Sequence, residues 1–354
     1  MKYLRSLIIA SVIAVSVYGI VGCSNSTSTN TVYVHDTLVH HDMLPDWDDS
    51  LWILRNSNTS AGLVTMQFLD SNVGFAAGTN GAVIRTTDAG LTWTALSPAP
   101  TTGNSGGGNT CYGIWFFNKT NGIAVGDANG VIHTTDGGTT WYGTTINTSY
   151  FLRSIFFINP LTGFIGTSDP NTAGAAGEIW RTTDAGVTWG KVSSNNTGGI
   201  YSIRFGSSTN GVALGGFGTA YWTSDGGSSW HAGTSGFSDK QIIGCAFTSP
   251  TNAFASCIGS QFSGAIIHTT DAGVTWTPVR STGYGCGAIA FNGSSVLTAM
   301  GYNGNVSEST DNGVTWRDDT AGGGRRWMAI AYPSQVRAVA AGEGGLVATR
   351  HRQY

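Results

Sequence analysis

Charge is scarce in this chain. Asp, Glu, Lys and Arg make up 10% of its 354 residues, and Glu178, Glu308 and Glu343 are the only glutamates. The formal net charge is -3 and there is no basic tract. Nucleic-acid binding, which needs clustered Lys and Arg, is therefore not expected. The Ala/Glu/Lys/Leu bias of helical proteins is missing as well. No C-x-x-C spacing links Cys111, Cys245, Cys257 and Cys286, which removes a zinc-ribbon or dithiol redox reading. These four read as small buried hydrophobes. Cys245 and Cys257 flank one hairpin and could join in an oxidising compartment. No metal and no cofactor are expected.

Glycine is what the chain has in quantity, 52 residues, together with 11% aromatics. That combination fits many short strands joined by tight turns. One eight-residue phrase occurs six times: TTDAGLTW (Thr86–Trp93), TTDGGTTW (Thr134–Trp141), TTDAGVTW (Thr182–Trp189), TSDGGSSW (Thr223–Trp230), TTDAGVTW (Thr269–Trp276) and STDNGVTW (Ser309–Trp316). Its aspartates, Asp88, Asp136, Asp184, Asp225, Asp271 and Asp311, are spaced by 48, 48, 41, 46 and 40 residues. Such a period marks a repeat architecture. An ionised Asp can accept several backbone N–H groups in a tight turn. The Gly two residues later supplies a positive φ without a Cβ clash. Trp93, Trp141, Trp189, Trp230, Trp276 and Trp316 are expected to lay their apolar faces over the outer edge of each unit.

Each unit also has a first strand ending in an aromatic: Phe68, Phe116, Phe157, Phe205, Phe247, Phe291 and Tyr332. That count is seven, one more than the phrases. The seventh unit supplies three strands from Trp327 onward, and a lone strand, Ser50–Leu54, precedes the first unit. Trp52 matches the phrase-ending Trp. The expected fold is all-β: a seven-bladed β-propeller of four-stranded antiparallel blades over residues 48–354, closed by the amino-terminal strand completing the last blade. Closure of this kind removes exposed sheet edges.

The phrase resembles the Asp-box, or BNR repeat. Its spacing is similar to that of the photosystem II assembly and stability factor family and its bacterial relatives, over nearly all of residues 50–354. The resemblance implies that the boxes are structural and that the propeller is a scaffold for protein partners, not an enzyme. In that family Arg often stands three residues before the box Asp. Here those positions hold Arg85, His133, Arg181, Trp222, His268 and Glu308, so the basic patch is partial. Asp-box propellers also include sialidases and xyloglucan hydrolases. The sialidase Arg-Ile-Pro segment is absent, and the rarity of Glu leaves little for general acid/base work. No catalytic residue is assigned.

The amino terminus reads as a targeting segment. Lys2 and Arg5 precede an apolar run, Leu7–Val21, that falls short of the ~20 residues of a spanning helix. It ends at Ile20-Val21-Gly22-Cys23, which resembles a bacterial lipoprotein lipobox. That implies a signal peptide over residues 1–22, acylation of Cys23, membrane attachment through this anchor, and an extracytoplasmic location. Ser24 follows, a pattern that implies outer-membrane sorting in Gram-negative lipoproteins. Residues 23–47 read as a polar tether; its His35, His40 and His41 beside Asp36 and Asp42 are residue types that bind metals, but with no rigid scaffold nearby they read as a solvated extended spacer.

Binding is expected on the face opposite the boxes, where loops vary in length. Candidate contacts there are Tyr150, Phe217, Arg325, Arg326 and Trp327, with Phe237, Phe262 and Tyr284 as further aromatics. Arg204 is the odd charge among the innermost strands. Its register-mates are Gln67, Trp115, Phe156, Ala246, Ala290 and Ala331, so it must face the channel or find a partner. The expected partner is a protein, with a glycan as the alternative, and the chain is expected to act as a monomer.

Overall fold

The computed structural model describes residues 51–97, 109–127, 130–169, 176–196, 198–260, 263–322 and 324–352. The lipobox, Cys23, the tether and Phe262 lie outside the described residues. Seven antiparallel sheets of four strands each make seven blades. Blade 1 is Leu63–Phe68, Gly74–Gly78, Val83–Thr86 and Thr94–Ala95. Blade 2 spans Cys111–Thr145, blade 3 Phe151–Asn196, blade 4 Ile200–Ala232, blade 5 Gln241–Thr282 and blade 6 Cys286–Thr320. Blade 7 takes three strands from Trp327–Ser334, Arg337–Gly342 and Val347–His351, and its fourth from Ile53–Arg55.

Each second strand is buried along nearly its whole length, as in Gly74–Gly78, because both of its faces are covered by neighbouring blades. The core is accordingly divided among the blade interfaces. Seven clusters of buried side chains are present, each drawn from two neighbouring blades. The cluster that closes the ring packs Leu63, Ile84 and Trp93 of blade 1 on Val339, Ala341 and Val347 of blade 7. A fully buried Leu, Ile or Val in such a cluster stabilises the fold by roughly 1.5–3 kcal/mol.

The six box corners share one hydrogen-bond scheme. In the first, Thr86 Oγ1 donates to Asp88 Oδ1 at 2.7 Å and accepts the Gly90 N–H at 2.9 Å. Asp88 Oδ1 also accepts the Thr92 N–H, and its Oδ2 accepts the Thr92 hydroxyl at 2.5 Å. Hydrogen bonds to the ionised form lower a carboxyl pKa. The Thr140, Thr188 and Thr315 bonds pull Asp136, Asp184 and Asp311 down to about 2. The Gly residues do have positive φ, as at Gly90 (87°), but so does the residue before each of them: Ala89 (61°), Ala185 (62°), Ala272 (59°) and Asn312 (58°).

The second Gly is required by packing as well. A Cβ on Gly227 would enter the ring of Phe164, and one on Gly313 the ring of Phe254, both in the preceding blade. The tryptophans correct an expectation here. They do not cover an outer edge. Each lies in a blade interface, with Trp230 5.9 Å from Phe164 and Trp316 6.0 Å from Phe254 of the preceding blade. Interior volume between blades is where a large apolar ring loses most water contact.

The seventh corner has no box. Ile53 pairs with Thr349 as Thr94 pairs with Arg85, so Trp52 does hold the place of the box Trp and Arg350 that of the box Thr. The fourth strand starts at Ile53, later than Ser50, and Trp52 before it is 9% exposed. The Arg350 guanidinium lies 5.9 Å above the Trp52 ring. It reaches Glu308 of blade 6 at 3.2 Å and Asp319 at 3.0 Å. Arg317 (2.8 Å) and Arg352 also pair with Glu308, which is 1% exposed. Burial pushes the Glu308 carboxyl up, but these guanidiniums outweigh it and hold the pKa below its usual range.

Candidate functional site: the channel mouth

Every innermost strand has an irregularity at the same place. The register shifts after Leu63, Cys111, Leu152, Ile200, Ile242, Cys286 and Trp327. One residue is left unpaired in each blade: Val64, Tyr112, Arg153, Tyr201, Ile243, Gly287 and Met328. A bulge of this kind re-aims a side chain. All seven residues line one cavity of about 430 Å³. The first strands enter from the blade-to-blade connections, so the cavity is the channel mouth on the face away from the boxes.

The ring has two halves. Tyr112, Arg153 and Tyr201 are consecutive, and the Arg153 guanidinium stands 4.1 Å over the Tyr112 ring and 5.9 Å from that of Tyr201. Cation–π contact of this kind holds the guanidinium plane in place. Arg153 Nε donates to Ser168 Oγ at 2.8 Å. The other half, Val64, Ile243, Gly287 and Met328, is apolar. Burial raises the Tyr112 and Tyr201 hydroxyl pKa values, and the Arg153 charge opposes that rise.

Two further arginines line the same cavity. Arg204 faces the channel, donates from Nη1 to the Ile203 carbonyl at 2.8 Å and lies 5.8 Å over Phe156. Its burial lowers its pKa from the ordinary guanidinium value. Arg326 stacks 4.4 Å over Tyr302, and its Nε is buried without a hydrogen-bond partner. Arg204 was legible from register; Arg153 was not. Counting residues in twos along Phe151–Phe157 passes over a bulge, and the run Leu152-Arg153-Ser154 gives no other sign of one.

The remaining sequence candidates are spread over this face. Phe217 is 54% exposed at the turn between the second and third strands of blade 4. Its φ is 52°. The equivalent turns of blades 1, 6 and 7 put Asn80, Asn303 and Gly344 there, at 58°, 58° and 65°. Arg325 is exposed and Tyr150 half-buried. Trp327 corrects another expectation: it is 0% exposed and packs with Trp52, Met300 and Ala340. It starts an innermost strand, where the blade interface closes over it, so it is not offered to a partner. Phe237 and Tyr284 are half-buried, and Tyr284 shares a 2.8 Å hydrogen bond with Ser307.

Other readings resolve simply. Cys111, Cys245, Cys257 and Cys286 are free and buried, and burial raises the Cys245 and Cys257 thiols to about 12. Cys245 faces Ala255 and Cys257 faces Ile242, so the two do not pair. Among the described residues no group of three metal-ligating side chains occurs. Four of the six positions three before the box aspartates are engaged with a neighbouring ring: Arg85 over Phe75, His133 on Tyr142, Trp222 on His231 and His268 on Phe254.

Box corners, interblade tryptophans and a bulge-lined channel define an Asp-box propeller of seven blades. A family profile described as Photosynthesis system II assembly factor YCF48 matches residues 44–348, and the chain belongs to that family. Among solved structures it is similar to "YCF48 bound to D1 peptide" at 19% identity and a TM-score of 0.63, covering 86% of this chain and 98% of that one. YCF48 from Cyanidioschyzon merolae gives 18% and 0.62, with 85% and 99% covered. The GH74 xyloglucanase from Xanthomonas campestris gives 17% and 0.64, covering 85% of this chain but 54% of the enzyme. At such identities the likeness shows the fold alone. No curated protein matches the chain.

Proposed function

We propose that this chain is a non-enzymatic scaffold that docks a protein segment on the face opposite the boxes. The observation that carries this reading is Phe217. A bulky side chain at positive φ is strained by about 1–3 kcal/mol. Equivalent turns avoid that cost with Asn or Gly. Phe217 is also largely exposed, so no core packing offsets the strain. Strain kept at an exposed aromatic is the mark of a contact residue. Membership of an assembly-factor family, with a relative solved bound to a peptide, supports a protein partner.

The scaffold is attached to a membrane through acylated Cys23 and works outside the cytoplasm; this part rests on the lipobox-like Ile20–Cys23 and the charged and apolar segments before it. Two acyl chains would make such an anchor stable. Mass spectrometry of the mature protein checks it, and an unmodified Cys23 rules it out. Cross-linked pull-down from native membranes tests the scaffold. A protein partner that is lost on Phe217→Asn supports it. Turnover of xyloglucan or a sialoside by the purified protein, or recovery of glycan alone, overturns it.

A further inference from the structure

The geometry points to the channel mouth as a binding site for a small monocarboxylate with an apolar body, a ligand separate from the docked protein segment. Three arginines, Arg153, Arg204 and Arg326, line a cavity whose volume suits a small ligand. Among the described residues none of the three forms an ion pair. Arg153 uses Nε on Ser168 and its plane on Tyr112, which leaves both Nη groups uncommitted. Arg204 is held by a single carbonyl and Arg326 has a buried Nε with no acceptor. The carboxylates nearby do not balance three positive charges. Asp169 is the one carboxylate on the described wall. Asp127, beside Tyr112, is 5% exposed; its Oδ2 accepts the Thr110 N–H at 2.9 Å, and it feels the Arg153 charge without forming an ion pair with it.

Unpaired guanidinium groups in a partly desolvated site are costly, and a carboxylate is the acceptor that matches their planar fork. The opposite wall says what else the ligand carries. Val64, Ile243 and Met328 replace the Tyr-Arg-Tyr half with apolar surface at the same depth in the ring. A carboxylate on one side and a short hydrocarbon on the other complete both halves. Either a free acid or the end of a peptide chain presents this chemistry.

The test uses the purified protein with hexanoate, hexanamide, sulfate and a tripeptide ending in free Leu, read by calorimetric titration. Hexanoate binds and hexanamide does not. Arg153→Gln and Arg326→Gln each weaken hexanoate about tenfold, as the loss of one charge-assisted hydrogen bond requires. Arg204→Met melts higher than the parent without ligand, because it removes an uncompensated charge, and it too binds hexanoate less well. Tighter binding of the tripeptide assigns the site to chain ends, and tighter binding of hexanoate assigns it to free acids. Equal binding of hexanoate and hexanamide, equal binding of sulfate, or no binding of either acid at millimolar concentration overturns the proposal. Partner recovery by Arg153→Gln separates this site from docking at Phe217: the variant loses hexanoate and keeps the protein partner.

Discussion

The two faces of the disc are built on opposite terms. On the box face, each of the six boxes satisfies itself: one carboxylate takes two hydroxyls and one or two N–H groups from its own turn, and its glycine fits against the preceding blade. On the other face, Arg153, Arg204 and Arg326 form no ion pair among the described residues, and one aromatic sits in a backbone conformation it disfavours. Repetition therefore marks where the molecule holds itself together. Departure from repetition marks where it has something left to bind. The seventh corner is the exception on the box face, and it shows the rule from the other side. Lacking a box, it joins blade 7 to blade 6 through Arg350 and Arg352, which pair with Glu308.

The largest expected effect breaks that exception. Glu308→Ala takes from Arg350, 3% exposed, its fully buried ionic partner. A loss of about 3 kcal/mol or more in denaturant unfolding is expected for a broken buried ion pair. A change under 1 kcal/mol would mean that the seventh corner does not depend on its ionic cluster. Next comes a single box. Asp88→Ala removes the acceptor for the Thr86 hydroxyl and both Thr92 groups, costing about 1–3 kcal/mol by the same measurement. Smaller still, and opposite in sign, Phe217→Asn is expected to stabilise by about 1 kcal/mol through relief of strain.

Acid separates the faces as well. Box carboxyls have folded pKa values below their unfolded ones, so they bind fewer protons in the native state. Their contribution is complete above about pH 4 and is lost as pH falls from the reference 3.8 toward about 2 at Asp136, Asp184 and Asp311. Glu308 acts in the same direction. Unfolding free energy measured from pH 5 to pH 2 should fall steadily, and Asp184→Asn should flatten part of the slope. A flat profile would mean the corners are not acting as ionised caps.

The scaffold was legible because it repeats. The Asp-to-Asp spacing, the first-strand aromatics and the position of Trp52 each identify a blade without reference to its neighbours. What lies between blades was harder to see. Whether Trp327 stands on a surface or in an interface depends on the packing of blade 6 against it, which no local pattern records. The channel ring was hidden for a different reason. A bulge changes which way Arg153 points without changing any residue around it, so alternation alone misplaces it. Phe217 was legible as an aromatic on a loop, but its strain appears only beside Asn80 and Asn303 in the aligned turns.

The central claim is that partners meet the face without boxes. A photo-cross-linking amino acid placed at Phe217, and separately at Val187, which is 67% exposed in a box turn, tests it in native membranes. The account predicts a discrete protein adduct from position 217 and none from position 187. An adduct confined to position 187 would contradict it.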